Sequence, residues 1–502
     1  MSLKTPPTPV SAMDRQLASD KLSATGLMMF VLTAATPLTV VAGVATTAFA
    51  TTGLIGFPIA FVIIGILLAL FGIGYLAMSR QISHTGAFYA YIAAGIGRPV
   101  GVAASWIALT AYTALQVGLY GLVGVSAQPL VQQWFGVEPA WWVLALVCWA
   151  VVAVLGRQSI DINGRVLAVL LTVEAAIILI ATIVNLANPA GGTVSMAALD
   201  PGQLFGQGTG ALLVLAFLAY IGFEAVTVYS RETRDERRTM PRALYGSLAV
   251  LMVLYVPAIW SLTVAVGPES IVAASQEQDI GLMFNLLAAN VGAAVADTGA
   301  ILLVTSVIAA AISFHNTVAR YAFALGREGV LPVALGRTSV RGAPMNASIA
   351  QSVVGLTVIV CYAVFGLDPL VDLFFYGGTS GALGILILIA ATSVAVTIYF
   401  IRHRQASSAE GMWRTRIAPQ ASILAMGTVL VLALVNFGDL LGTPPGSALP
   451  YVIPIGYAVL AIGGLAYGQW LARRRPHVYA AIGQGARATL VTSTSHHDKE
   501  TS

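Results

Sequence analysis

FLAYIGFEAVTVYSRETRDERRTMPRA, residues 217–243, begins as an apolar run and ends as a charged loop. Inside the oily part stand a glycine, Gly222, and a carboxylate, Glu224. Glycine weakens a helix by about 1 kcal/mol relative to alanine, and an acid in hydrocarbon is costlier still. Side by side, they mark a place where a membrane helix is expected to unwind. The plainer alternative is a small residue allowing two helices to pack closely.

Composition decides that the setting is a membrane. Of 502 residues, 58% are hydrophobic and only 9% charged, and the mean hydropathy is +0.85. Soluble domains carry about 25% charged residues. A bilayer core of roughly 30 Å takes about 20 apolar residues per helix. Apolar runs fall near residues 25–50, 54–79, 99–125, 139–156, 164–187, 207–230, 242–266, 294–325, 346–366, 372–401, 419–437 and 449–472. The chain therefore reads as an all-α polytopic membrane protein of 12 transmembrane helices.

Charge gives the orientation. With the N-terminus inside, all 25 basic residues fall in inner loops or at helix ends facing them. The outer loops carry acids: Glu138, Asp200, Glu269, Glu277, Asp279, Asp368 and Asp439. By the positive-inside rule both termini are cytoplasmic, and the excess of +4 reflects topology rather than nucleic-acid binding. Residues 1–24 read as a cytoplasmic tail with no cleavable signal pattern. Residues 474–502 read as a disordered cytoplasmic tail whose His496-His497 pair is not a metal site. Cys148 and Cys361 sit in apolar runs without an evident partner, so no disulfide framework is expected.

Helix 1 matches helix 6 in being interruptible. It reads GLMMFVLTAATPLTVVAGVATTAFA, residues 26–50, with Pro37 removing a donor, Thr36, Thr39, Val40 and Val41 forming helix weakly and Gly43 adding flexibility. Helix 6 opens a second set of five helices as helix 1 opens the first, the spacing of inverted-repeat transporters whose broken helices expose backbone to substrate. Freed N–H and C=O groups at membrane depth need a ligand, water or protein partner, and a half-helix N-terminus suits a carboxylate. A simple kink at Pro37 is the competing reading.

Two acids lie far from any loop. Glu174, in LLTVEAAIILI (residues 170–180) of helix 5, is a candidate proton-coupling or cation site, or else a structural hydrogen-bonding group. Glu224 caps the broken backbone of helix 6, senses protonation, or holds a cationic substrate. On helix 3, TAYTALQVGLYG (residues 110–121) places Tyr112, Thr113, Gln116 and Tyr120 on a partly polar stripe, lining a cavity or bridging helices.

These residues resemble the amino acid–polyamine–organocation superfamily of permeases. The likeness is carried by AYIGFEAVTVYSRETRDERRTMPRA (219–243), SHTGAFYAYIAAGIGRPVG (83–101) and SFHNTVARYAFALGREGVLP (313–332). The resemblance implies a leucine-transporter-type 5+5 inverted repeat with helices 1 and 6 interrupted: residues 25–187 as the first repeat, 207–402 as the second, and 419–473 as helices 11–12. It implies alternating access, with the substrate held by backbone at Thr39, Val40, Val41, Ala42 and Gly43 and at Tyr220, Ile221, Gly222 and Phe223. Thr113 and Gln116 join the substrate set. Glu174 falls about where some relatives place a lysine instead of sodium, with Ser313 as neighbour, so Glu174, Glu224 and Ser313 form the proton-coupling set. The position of a gating aromatic in some relatives is Leu218 here.

The expected function is proton-coupled import of amino acids, or related amines, across the plasma membrane. A polyamine or organic-cation carrier is the alternative, and a membrane-embedded sensor a minor one. No nucleophile motif, metal-ligand spacing or GxxxxGK[ST] loop appears, so neither an enzyme, a cofactor, a metal nor ATP-driven transport is expected. Which amine is carried, the coupling ion and the oligomeric state are not legible in the sequence.

Overall fold

The computed structural model describes residues 22–82, 86–157, 160–339, 342–443 and 446–484. His84, His496-His497 and most of the N-terminal tail lie outside the described residues. Within them the chain is helical, and the one strand-type contact is a parallel bridge between Leu22 and Thr233.

Eleven spans among the described residues are long and apolar enough to cross a membrane. They are span 1 (Ala24–Thr52), span 2 (Phe57–Ser79), span 3 (Arg98–Phe135), span 5 (Ile160–Ala187), span 6 (Thr209–Thr227) and span 7 (Glu236–Val266). Span 8 (Ala293–Glu328), span 9 (Met345–Phe365), span 10 (Pro369–Arg402), span 11 (Trp413–Val435) and span 12 (Leu449–Arg474) complete them. The expected fourth helix is Trp141–Leu155, apolar but 15 residues long. At 1.5 Å per residue it covers roughly 22 Å, short of the hydrocarbon core. It leans on spans 3, 8 and 9, and its Trp149 indole donates to the Ser352 carbonyl at 2.7 Å.

Both expected interruptions are present. Span 6 is α-helical over Thr209–Leu218, turns through residues 219–222 and resumes as a 3-10 coil over Phe223–Thr227. Gly222 makes this possible with φ of 111°, a region open to glycine and costly for other residues. The electropositive α half-helix expected beyond the break is replaced by this short 3-10 coil.

In span 1 the position needs correction. The break is at Ala35-Thr36, where Thr36 adopts φ 45° and ψ 66°. Thr39 to Gly43 are helical, in an α turn that runs into a π turn over Val40–Val44. The reason is the proline: it bars the residue before it from the α conformation, yet fits the first position of a new helix. Pro37 opens the second half of span 1 rather than interrupting its middle.

The arginine-bearing end of the molecule is tightly closed. Arg320 of span 8 forms a buried pair with Glu232, at 2.6 and 3.1 Å, and lies over the Tyr229 ring at 4.6 Å. Tyr229 in turn packs on Phe30 of span 1 at 5.2 Å. The Leu22 N–H donates to the Glu232 carbonyl, and the Arg234 N–H to the Leu22 carbonyl. Such a pair is costly to break from one side, because a lone charge is then left buried.

Part of the segment read as a disordered C-terminal tail is ordered. Pro476–Ala481 is helical because Val478, Ala481 and Ile482 are buried. The Gly483 N–H donates to Glu328, and Arg98 lies over the Tyr479 ring. At the opposite, acidic end, two short helices, Ile271–Gln278 and Gly281–Asn290, join spans 7 and 8. Gln276 of the first donates to the Ala50 carbonyl of span 1 at 3.0 Å.

Candidate functional site

The two breaks face each other. A Cβ built on Gly222 would stand 2.7 Å from the Ala34 Cβ and 3.5 Å from the Ala35 nitrogen, so the turn of span 6 presses directly on the turn of span 1. Above them lies a cavity of about 830 Å³, within the size range of small-molecule sites. Its lining runs from Ala34, Ala35, Thr36, Ala219 and Ile221 at the breaks to Thr51, Gln133, Gln276, Asp279 and Asp297 at the acidic ends of the spans. It therefore reaches the acidic end and stops at the breaks.

Each break is capped by one of the two deep acids. Glu174, 3% exposed, accepts from the Leu38 N–H, the second residue of the restarted helix. It also accepts from Ser306 Oγ of span 8 at 2.8 Å. Leading N–H groups of a helix have no internal acceptor, and Glu174 fills that vacancy as an N-cap carboxylate from another helix. Glu224, fully buried, accepts from the Gly222 N–H at 2.9 Å and from the Tyr112 hydroxyl at 2.8 Å. No basic side chain among the described residues pairs with either acid.

Some backbone at the breaks is left open. The carbonyls of Ala34, Ala219 and Ile221 accept no hydrogen bond from the described residues, and the Thr39 N–H finds no acceptor among them. Thr39 Oγ1 is buried and without a partner. All four residues line the cavity. Buried groups of this kind are rarely left unsatisfied without a reason. Three bare carbonyls suit a cation such as an ammonium group; an N–H beside a hydroxyl suits a carboxylate.

The sequence-derived residues sort as follows. Thr39, Val40, Gly43 and Ile221 line the cavity. Val41 and Ala42 are buried in the helix restarted after the first break, and Tyr220, Gly222 and Phe223 shape the second break without lining the cavity. Tyr220, for example, donates to the Phe61 carbonyl at 3.1 Å. Thr113 and Gln116 do not reach the cavity. Gln116 donates to Tyr120 at 2.9 Å, contacts His315 Nδ1 at 3.2 Å and accepts from Gln351. Thr113 meets Gln351 at 3.5 Å. They bridge spans 3, 8 and 9, because Leu115, Leu119 and Leu122 turn the other face of span 3 to the cavity.

Ser313 also needs correction as the neighbour of Glu174. It donates to the Phe30 carbonyl at 3.4 Å, and the serine beside Glu174 is Ser306, two helical turns away on span 8. That partner was missed because a resemblance aligned by motif fixes Ser313 but not the level at which Glu174 crosses. Ala34 and Ala35 were missed as well, and Thr36 was read as a weak helix former but left out of the binding set, although Thr36-Pro37 carried the signal.

The sequence profile described as amino acid permease matches residues 22–460. The chain belongs to the amino acid permease family. It is thus a multi-pass membrane transporter of amino acids, not an enzyme, and its kinship lies with the amino acid–polyamine–organocation permeases. Among curated relatives, a branched-chain amino acid permease of Lactococcus lactis is 26% identical over 357 residues, covering 66% of this chain and 71% of the relative. A methylthioribose transporter of Bacillus subtilis is 27% identical, covering 55% and 60%. An L-lysine transport protein of Corynebacterium glutamicum is 28% identical, covering 53% of each.

Proposed function

We propose that this permease imports amino acids by alternating access in the plasma membrane, driven by protons, with its arginine-rich end and both termini in the cytoplasm. In this reading residues 25–187 and 207–402 are inverted repeats and 419–473 lie outside them. The observation that carries the proposal is the pair of facing breaks at the floor of a cavity open at one end and sealed at the other. The ammonium group rests on the carbonyls of Ala34, Ala219 and Ile221, and the carboxylate on Thr39. The state described is then open to the outside, and the Arg320–Glu232 pair is part of the inner seal.

Protons couple through Glu174 and Glu224. Each acid holds the backbone that shapes the site, so adding a proton to it changes the grip on one break. Charge neutralised in this way costs less to carry through a dry intermediate. A polyamine carrier fits less well, since a substrate without a carboxylate leaves Thr39 unsatisfied and no acid among the described residues lines the cavity floor.

The test is uptake of labelled amino acids by proteoliposomes holding the purified full chain. Uptake at least tenfold above empty vesicles, and several-fold faster with the outside acidic, is expected. Equal rates with and without a pH gradient would remove the proton coupling. No uptake of any amino acid would remove the whole reading.

A further inference from the structure

The walls of the cavity say more about the substrate than its floor does. Beside the breaks stand Leu115 and Leu119 of span 3, Leu215 and Leu218 of span 6, and Phe314 of span 8. Among the described lining residues only Asp279 and Asp297 bear formal charge, and none is basic. Asp279 lies in the exposed turn between the two short helices. Asp297 comes nine residues before Ser306 on span 8, roughly 13 Å toward the mouth, and is held by Gln133 at 3.2 Å. Asp297 is thus too far away to meet a side chain extending from the breaks, and Asp279 is exposed at the outer surface.

We infer that the pocket selects amino acids with uncharged, apolar side chains, the side chain lying against Leu115, Leu119, Leu218 and Phe314. The inference rests on the reading of the breaks as the amino acid site and goes beyond it by naming the side-chain class. Desolvating a lysine, arginine or glutamate side chain against these residues has no compensating partner, whereas each buried methylene gains affinity. Of the two span 6 leucines that line the cavity, Leu215 is buried and Leu218 is the more open.

Competition in proteoliposomes tests it, with labelled leucine as tracer and wild-type protein. Unlabelled valine, isoleucine and phenylalanine should inhibit at concentrations at least tenfold below those needed of lysine, arginine or glutamate. Inhibition by lysine as strong as by isoleucine would overturn the side-chain assignment while amino acid transport stands. Failure of every amino acid to be transported or to compete, with putrescine or methylthioribose taken up instead, would overturn both. As a second arm, Leu218→Ala should weaken isoleucine relative to phenylalanine by several-fold. An unchanged ratio would overturn the wall assignment.

Discussion

Gly222→Leu abolishes uptake: the rate in proteoliposomes is expected to fall by at least a hundredfold, with protein still inserted and eluting as a single species. Two costs combine. The φ of 111° at this position strains any residue with a Cβ, typically by about 1–3 kcal/mol. In addition, the new side chain must enter space where the Ala34 Cβ already stands at 2.7 Å. The turn of span 6 can relieve both only by moving away from span 1, which separates the carbonyls of Ala219 and Ile221 from that of Ala34. Gly222→Ala pays the backbone strain and part of the clash, so it should retain a measurable fraction of the activity. Normal affinity in the leucine variant would mean that the facing breaks do not form the site.

Glu174→Gln is expected to erase the stimulation of uptake by an inward proton gradient while counterflow exchange continues. Glutamine keeps an acceptor for the Leu38 N–H and the Ser306 hydroxyl, so the restarted helix stays capped and the fold is retained. It cannot exchange a proton. Glu174→Leu would instead leave the Leu38 N–H without its acceptor, a loss of about 1–3 kcal/mol, visible as a lower melting temperature in detergent. Comparing the two separates the capping role from proton transfer. A glutamine variant still driven by the gradient would leave Glu174 a capping residue only and shift coupling to Glu224.

The break in span 6 was legible because a lone glycine in an apolar run, followed by an acid, suggests an unwound turn with the acid as one possible cap. The turn is there and Glu224 bonds the Gly222 N–H; the positive φ at Gly222 came from the structure. The break in span 1 was legible in existence and misplaced by about one turn. The motif-aligned resemblance placed the segment at Thr39–Gly43, but Val40 and Val41 pack well inside a helix bundle, and the proline rule acts on the residue before Pro37. The depth of Glu174 could be counted along its helix, whereas the identity of its partner depends on how spans 5 and 8 cross, which no local pattern encodes. Likewise the polar stripe of Thr113 and Gln116 could not tell cavity from helix interface. Both options need buried polar groups at helical spacing, and only the packing of spans 8 and 9 selects between them.

The positioning of the two carboxylates has a common logic. Unwinding inside a membrane leaves backbone groups that hydrocarbon cannot satisfy, and each acid satisfies one N–H at one break. What remains open are the carbonyls and the Thr39 groups that face the cavity. In the proposed function, structure and ligand divide the freed backbone between them, and the coupling follows from the share that titrates.

The central claim is tested most directly by a cryo-EM structure of the protein in lipid nanodiscs saturated with leucine. The account predicts density between the two turns, with the ammonium within hydrogen-bond distance of the Ala34, Ala219 and Ile221 carbonyls and the carboxylate on Thr39. Continuous helices through Thr36 and Gly222, or leucine bound anywhere but between them, would contradict it.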